Sequence, residues 1–443
     1  MNPKKHRALK YYLDNIKPFL DEVYYLRNML KIIWMKIYNT KLKLCSIWLT
    51  IDLNKIYWLN HRKILYCLIS SESAKQLYKK KIQKTFKHGR KNCNIIKIED
   101  KSMYQSFYLH FVRGIKWEET DFYKQVICRI ENGESIWGCS SAEEYGKRCE
   151  KLDKLYANIK NNGLKSQETL KDGSLLKENR ILKKADEITI LLGPEGEMIH
   201  YHSGNHRLSI AKLLNLDKIP VQILSRHKDW LRFRKEILSY LKENFNGKAY
   251  QPLLHPDLRD ILSIWSDKRF QLVKQKTAVK KGTLLDIGAH WGYFCHKFED
   301  LGFQCTAIEN SERNLYFMKK LKKADNLRFN ILNHSIFHEA KDNIFNEELN
   351  FDIVLALNLF HQFNDMEEDL IFKLKKIFGR IKAKEVYFQV PEQDGALQLF
   401  KNDNGKSRNL SPRELIESII ENSSFIDVEK IGEERNHGIY KIS

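Results

Sequence analysis

"LLDIGAHWGYF", residues 284–294, decides the reading of the C-terminal half. An apolar run of strand-forming residues ends in Asp286, and Gly288 and Gly292 follow four residues apart. Glycine at such a turn lets the backbone take a positive φ and lets a ligand approach where a Cβ would collide. The helix expected after Gly292 presents unpaired N–H groups at its start. A dinucleotide fingerprint needs G-x-G-x-x-G, and this stretch reads D-x-G-x-x-x-G, so a pyrophosphate cradle is not supported.

From residue 282 onward, strands alternate with helices. "TLLDIG", "QCTAIE", "LRFNIL", "FDIVLALN", "EVYFQV" and "IYKIS" read as strands. "YFCHKFEDLG", "SERNLYFMKKLKKA", "EEDLIFKLKKIFGRI" and "SPRELIESIIENS" read as helices. Such alternation implies a parallel, helix-covered sheet. "FIDVEKIGEERNHGIYKIS" closes it as an antiparallel edge hairpin. Ligands of open α/β sheets sit at the carboxyl ends of the strands. The second strand ends in Glu309, where an acid can accept hydrogen bonds from both hydroxyls of a ribose.

These residues resemble class I S-adenosylmethionine-dependent methyltransferases over about residues 250–443. "LLDIGAHWGYFCHKFEDLGFQCTAIENSERN" looks like their first two motifs, and "FDIVLALNLFHQF" stands where their fourth-strand motif does. The resemblance implies S-adenosyl-L-methionine as cofactor and a Rossmann-like seven-stranded sheet. It places Asp286, Gly288, Ala289 and Gly292 at the methionine end of the cofactor, Glu309 at the ribose and Asn310 near the adenine. Asn358 falls at the mouth of the acceptor pocket. Base-directed aminomethylases of this fold carry an Asn/Asp-Pro-Pro-aromatic loop, whereas this chain has Asn358-Leu359-Phe360-His361. His361 is the candidate general base for a hydroxyl acceptor, since its ordinary pKa suits the task. "FHQF", "GFQCTAIE" and "RNHGIYKIS" resemble methyltransferases associated with glycan and polysaccharide synthesis, which makes a sugar hydroxyl or glycan-end phosphate the expected acceptor.

A second glycine turn lies upstream. In "EITILLGPEGEMIHYHSGNHRLSIAKLL", a strand, a Gly-Pro-Glu-Gly turn and a second strand lead into Gly204 and a helix over about 206–214. "IPVQIL" adds a strand, and "RHKDWLRFRKEILSYLKENFNG" reads as a connecting helix in which an exposed Arg226-His227 pair and Trp230 stand near the turn. "HSGNHRLSIAKLLNLDKIPV" resembles the ParB/sulfiredoxin-like superfamily, whose G-x-x-R turn grips a nucleotide phosphate. Gly204, His206 and Arg207 are the matching positions, and helix N-terminal N–H groups with an arginine suit an anion. Kinase relatives have an acid just before the glycine, where this chain has Ser203; Asp186, Glu195 or Glu197 would have to replace it. Asn205 stands where sulfiredoxins have cysteine, and no helix-turn-helix follows as in partition proteins.

The chain has 443 residues, comfortable for two or three domains. Residues 1–100 are expected to be basic and mostly helical, 101–245 an α+β ParB-like module, and 246–443 the methyltransferase domain. Helices over 6–45 and in "SSESAKQLYKKKIQKTFKHGRKN" are expected, with a strand pair in "IDLNKIYWLN". Thr120 and Ser141 are expected helix caps, with Gly133 and Gly163 as stops. Net charge is +20, and residues 1–90 carry 20 Lys/Arg against 5 Asp/Glu. That balance suits an acidic surface, but it equally fits a chain generally rich in Lys, Ile and Asn, so nucleic acid is not the favoured partner. The eight cysteines include no C-x-x-C pair, no zinc spacing and no metal site, and fit a reducing compartment. No run reaches about 20 apolar residues and no secretory leader stands out, so a cytoplasmic location is expected. Two readings compete with the methyltransferase: a non-enzymatic ParB-like nucleotide- or nucleic-acid-binding protein, and a bifunctional kinase–methyltransferase of polysaccharide synthesis.

Overall fold

The computed structural model describes residues 55–68, 95–167, 169, 187–201, 203–335, 345, 347–357, 369–392 and 411–443. The helices expected over 6–45 and 70–92 lie outside them. The chain divides into two compact units, Met1–Lys235 and Glu236–Ser443.

The first unit is built on a six-stranded sheet of β1 (Ile56–Leu59), β2 (Ile64–Leu68), β3 (Ile95–Lys97), β4 (Ile188–Leu192), β5 (Met198–His200) and β6 (Ile219–Arg226), in the order β1-β6-β4-β5-β2-β3. All five residues of β4, "ITILL", are buried, as a central strand covered on both faces requires. The sheet crosses the boundary expected at residue 100, because β1, β2 and β3 are laid against the later strands. Of "IDLNKIYWLN", residues 55–60 are described and hold β1, whose partner is β6, in antiparallel register from Ile56–Gln222 to Leu59–Ile219.

Helices α1 (Ser102–Arg113), α2 (Asp121–Glu131) and α3 (Ala142–Asn162) precede β4; α4 (Asn205–Leu213) and α5 (Lys228–Asn244) follow β5 and β6. The Thr120 hydroxyl accepts from the Tyr123 N–H and the Ser141 hydroxyl from the Glu144 N–H, so both expected caps form. Arg226, His227 and Trp230, expected at an exposed rim, are 2%, 6% and 1% exposed. Arg226 donates to the Tyr57 hydroxyl at 3.2 Å, and the Trp230 ring fills the space over Gly196. A strand end read by charge alone looks solvated, whereas here the sheet carries it inside.

The second unit holds a seven-stranded sheet of β7 (Thr283–Ile287), β8 (Gln304–Ile308), β9 (Asn330–Leu332), β10 (Leu349–Ala356), β11 (Ile381–Pro391), β12 (Val428–Glu434) and β13 (His437–Ile442). Its order is β12-β13-β11-β10-β7-β8-β9; β7 to β11 pair in parallel, and β13 runs antiparallel to β11. Helices α6 (Lys268–Lys276), α7 (Tyr293–Asp300), α8 (Glu312–Ala324), α9 (Asp369–Phe378) and α10 (Pro412–Ile420) accompany it. The expected Rossmann-like seven-stranded sheet is present, with strand order reversing beside β7. Arg435 and Asn436, both at positive φ (53° and 59°), make the tight turn of the terminal hairpin.

β7 is a central strand, and its side chains alternate between two cores. Leu285 and Ile287 join one cluster with Val354, Val386 and Phe388. Leu284 joins the other with Phe294, Cys295, Phe298 and Leu355. Asp286 shares the face of Leu284, so the one charged residue of the strand points under α7. At the opposite sheet end, Asp352 accepts from the Thr283 N–H at 2.8 Å and pairs with Lys384 at 2.8 Å, tying β7, β10 and β11 together.

Candidate active site

β7 ends at Ile287, and Gly288 turns the chain at φ +73°. The N–H groups of Gly288 and Ala289 both reach Ile308 O, each at 2.9 Å, which folds the loop over the end of β8. His290 follows at φ +52°, an uncommon value for a residue with a Cβ, and is held there by its N–H donating to Glu309 Oε2 at 2.8 Å. Gly292 opens α7 at φ +80°. A Cβ at 292 would stand 3.0 Å from the Phe329 ring and 3.1 Å from Met318 Cγ. The positive φ and this tight packing together favour glycine there.

Asp286 is fully buried. Among the described residues its Oδ2 meets the Cys295 thiol, at 4.0 Å, and its Oδ1 has no hydrogen-bond partner. Burial, with Arg269 opposing and Glu309 adding, pushes its carboxyl up to about 7. A lone carboxylate oxygen in this position is costly unless a donor or cation arrives. It fits the ammonium of a methionine-type ligand.

Glu309 is 7% exposed at the end of β8. Its Oε1 accepts from the N–H groups of Asn310 (3.1 Å) and Ser311 (2.9 Å), and its Oε2 from His290. Two carboxylate oxygens offer about four acceptor sites, so three are already used. Accepting both hydroxyls of a ribose therefore requires one backbone donor to be exchanged. Ala289 is fully buried with its methyl in the core. Asn310 is exposed beside this edge. Asn358 and His361 lie outside the described residues.

The structure adds partners that the motif alone does not reveal. Arg269, on α6, is fully buried, with its guanidinium 4.4 Å from the Trp265 ring centre, 5.4 Å from Phe294 and 5.9 Å from Tyr250. It donates to Gln389 Oε1 of β11 at 2.9 Å. The Tyr293 hydroxyl donates to Asp267, which also pairs with Lys297 at 2.9 Å. The Tyr250 ring lies 5.1 Å from that of His290. Tyr250, Trp265, Asp267 and Arg269 lie upstream of the motif, where no element was expected from the sequence. The one available signal was the aromatic and basic density of "SIWSDKRF".

In the first unit, Gly204 precedes α4 at φ +85°, and a Cβ there would lie 2.7 Å from Ile188 Cα. Close approach to β4 alone therefore demands the glycine. His206 packs against Phe107 and Trp137, and burial together with the charges of Arg148, Arg207 and Lys101 lowers it to about 4. It is neutral at pH 7, so the positive charge at this helix start comes from Arg207, Arg148 and Lys101. Arg148 lies over the Trp137 ring at 5.3 Å, and Lys101 donates to Asn205 Oδ1 at 2.8 Å. Of the acids considered as replacements near Ser203, Glu197 closes its own turn by accepting from the Glu195 N–H at 2.9 Å, and Asp186 lies outside the described residues.

Residues 285–371 match a family model described as a methyltransferase domain. The cofactor of that domain is S-adenosyl-L-methionine. Among solved structures, the chain is similar to monomeric WbdD, with 18% identity over 46% of this chain and 48% of that one at a TM-score of 0.34. A structure described as the bifunctional kinase–methyltransferase WbdD gives 16% identity, 46% of each chain and a TM-score of 0.34. The glycopeptide N-methyltransferase MtfA, complexed with S-adenosyl-L-methionine, gives 12% identity over 40% of this chain and 92% of that one at 0.29. The chain thus spans about half the length of the WbdD structures it matches. No curated protein matches it. Among the described residues, no helix is long and apolar enough to cross a membrane.

Proposed function

We propose that the chain is an S-adenosyl-L-methionine-dependent methyltransferase acting on an oxygen of a sugar or glycan-type acceptor. The observation that carries the cofactor site is the pair of carboxylates at neighbouring strand ends. Asp286 has an unmet Oδ1 beside β7, Glu309 closes β8, and Gly288 turns between them. When bound, the cofactor supplies an electrophilic methyl group. Asp286 would hold the ammonium at its methionine end, and Glu309 would take the ribose after giving up one backbone donor. Asn310 would border the adenine. The loop backbone from Gly288 to Gly292 would seat the middle of the ligand.

Rate enhancement would come mostly from holding the acceptor oxygen in line with the methyl carbon. His361 is proposed as the base that takes the hydroxyl proton as the new C–O bond forms, and Asn358 as a wall of the acceptor pocket. The acceptor class rests on the sequence resemblance of "FHQF" and its neighbours. Calorimetry with S-adenosylhomocysteine tests the cofactor: the intact chain binds and Gly288→Arg does not. Absence of binding by the intact chain sinks the reading. Acceptor class is then tested by transfer of labelled methyl to saccharides and phosphosaccharides.

A second reading concerns the first unit. Arg207, Arg148 and Lys101 at the start of α4 favour an accessory ParB-like module that binds phosphate or a nucleotide. Titration with phosphate and with ADP, against Arg207→Ala, tests it. The bifunctional kinase–methyltransferase alternative requires phosphate transfer from ATP, which the same preparation can be assayed for. A nucleic-acid-binding role requires affinity with a steep salt slope.

A further inference from the structure

The carboxyl ends of the parallel strands hold more than the acids of β7 and β8. β10, β11 and β13 lie on the side of β7 away from β8. β12 runs parallel to β11, because both are antiparallel to β13, so its end reaches the same edge. Pro391 of β11, His437 of β13 and Glu434 of β12 stand level with one another in that register. Residues directly opposite across strands share a face, as do residues two apart along one strand, so Gln389 and Glu434 point to the same side. It is the side of α6, whose Arg269 donates to Gln389 Oε1 at 2.9 Å.

Arginine only donates, so the amide oxygen of Gln389 must face it and the NH2 group must face away. Gln389 is 3% exposed, and its Nε2 has no hydrogen-bond partner among the described residues. Glu434 is half-buried; its Oε1 accepts from the Ser266 N–H at 2.8 Å, and its buried Oε2 has no partner among the described residues. Trp265, next to Ser266, lies 4.4 Å from the Arg269 guanidinium and 5.3 Å from the His437 ring, so one stack of side chains connects the two unmet groups. A buried donor and a buried acceptor left unmet are each costly, and a ligand that offers both functions relieves both. Neighbouring sugar hydroxyls do so. A phosphate offers only acceptor oxygens and negative charge, which would meet Gln389 but set a like charge against Glu434.

We propose that Gln389 and Glu434 read the methyl acceptor, Nε2 donating to one hydroxyl oxygen and Oε2 accepting from a neighbouring hydroxyl, so that the site takes a neutral sugar diol in preference to a phosphorylated sugar. This rests on the methyltransferase reading above, in which the cofactor takes the ends of β7 and β8 and leaves those of β10 and β11 to the acceptor. Both are specificity residues and take no proton from the reacting oxygen.

The test is transfer of labelled methyl from S-adenosyl-L-methionine by the full chain to the methyl glycosides of glucose, galactose and mannose, and to monophosphates of the same sugars. The intact chain should turn over at least one neutral saccharide with kcat/KM roughly tenfold or more above its phosphorylated counterpart. Gln389→Glu keeps an acceptor for Arg269 and removes the donor, and should raise KM for that saccharide roughly 10- to 100-fold while kcat changes less. Glu434→Gln removes the like charge, and should raise that KM and also shrink the preference over the phosphorylated counterpart. Calorimetry should find S-adenosylhomocysteine bound by both variants as by the intact chain. A preference for the sugar phosphates, an unchanged KM in Gln389→Glu, or a loss of S-adenosylhomocysteine affinity alongside the loss of acceptor in both variants overturns the proposal. If Gln389→Glu does not fold, Glu434→Gln decides by its effect on the preference. An intact chain that binds S-adenosylhomocysteine but methylates none of the saccharides overturns this inference and leaves the cofactor reading standing; one that does not bind it overturns both.

Discussion

Binding of S-adenosylhomocysteine at about pH 6 should release a proton, and Asp286 should be its source. Buried, and with no partner for Oδ1 among the described residues, the carboxyl is pushed up to about 7. At about pH 6 it is then roughly 90% protonated, and at about pH 8 roughly 10%. An ammonium against Oδ1 favours the ionised form, so binding should expel about 0.9 proton at the lower pH and about 0.1 at the higher. Affinity should rise about tenfold per pH unit up to about 7 and level off above it. The assay is calorimetry at fixed pH in buffers of different ionisation enthalpy, where the slope of observed heat against buffer heat counts protons. Asp286→Asn should bring that slope near zero. A flat slope in the intact protein near pH 6, or a slope that survives Asp286→Asn, refutes the reasoning. The sign for stability follows from the same shift. The folded pKa is raised, so Asp286 contributes fully below about 3.9, and the contribution is lost as pH rises through about 7, amounting to at most about 4 kcal/mol. Ligand should reverse that loss.

Other perturbations read the fold and the chemistry. Gly292→Ala combines a positive φ with contacts at 3.0 and 3.1 Å, and should cost about 1–3 kcal/mol by denaturant unfolding. Gly204→Ala meets strand backbone at 2.7 Å and should lower the melting temperature of the first unit; an unchanged melt contradicts the close approach. Glu385 is buried and accepts from Thr277 (2.6 Å), Ala278 N–H (2.9 Å), Tyr387 (2.8 Å) and Lys441 (2.9 Å). Burial pushes its carboxyl up, but these donors outweigh burial and hold it below the usual range. Its contribution is present above about 4.3 and lost as pH falls through the folded value, and Glu385→Ala should cost about 3–5 kcal/mol. His361→Gln should lower kcat by about 10²–10⁴ and abolish the acidic limb of the pH–rate profile, where protonation of the imidazole disables the base; near-normal turnover removes it from the mechanism.

The sequence by itself determined the alternation that builds the second sheet, the glycine turn after β7, the acid at the end of β8 and the caps of α2 and α3. Each is local: period, a φ requirement or a side chain reaching its own backbone decides it. The tertiary structure decided the rest, because it depends on who lies alongside. Early strands β1, β2 and β3 enter the sheet of the first unit from beyond the expected boundary, since a strand's partners are chosen by burial at long range. The tertiary structure also added a second demand on two of the glycines: Gly292 and Gly204 answer to close packing as well as to the positive φ they share with Gly288. It showed Glu309 already spent on three backbone donors, and His206 neutral among aromatic rings. Asp286 could be read as an acid at a strand end, but its missing partner could not, nor could the arginine set beside it from α6. Burial and field are sums over neighbours distant in sequence, and only the packed chain brings those neighbours together.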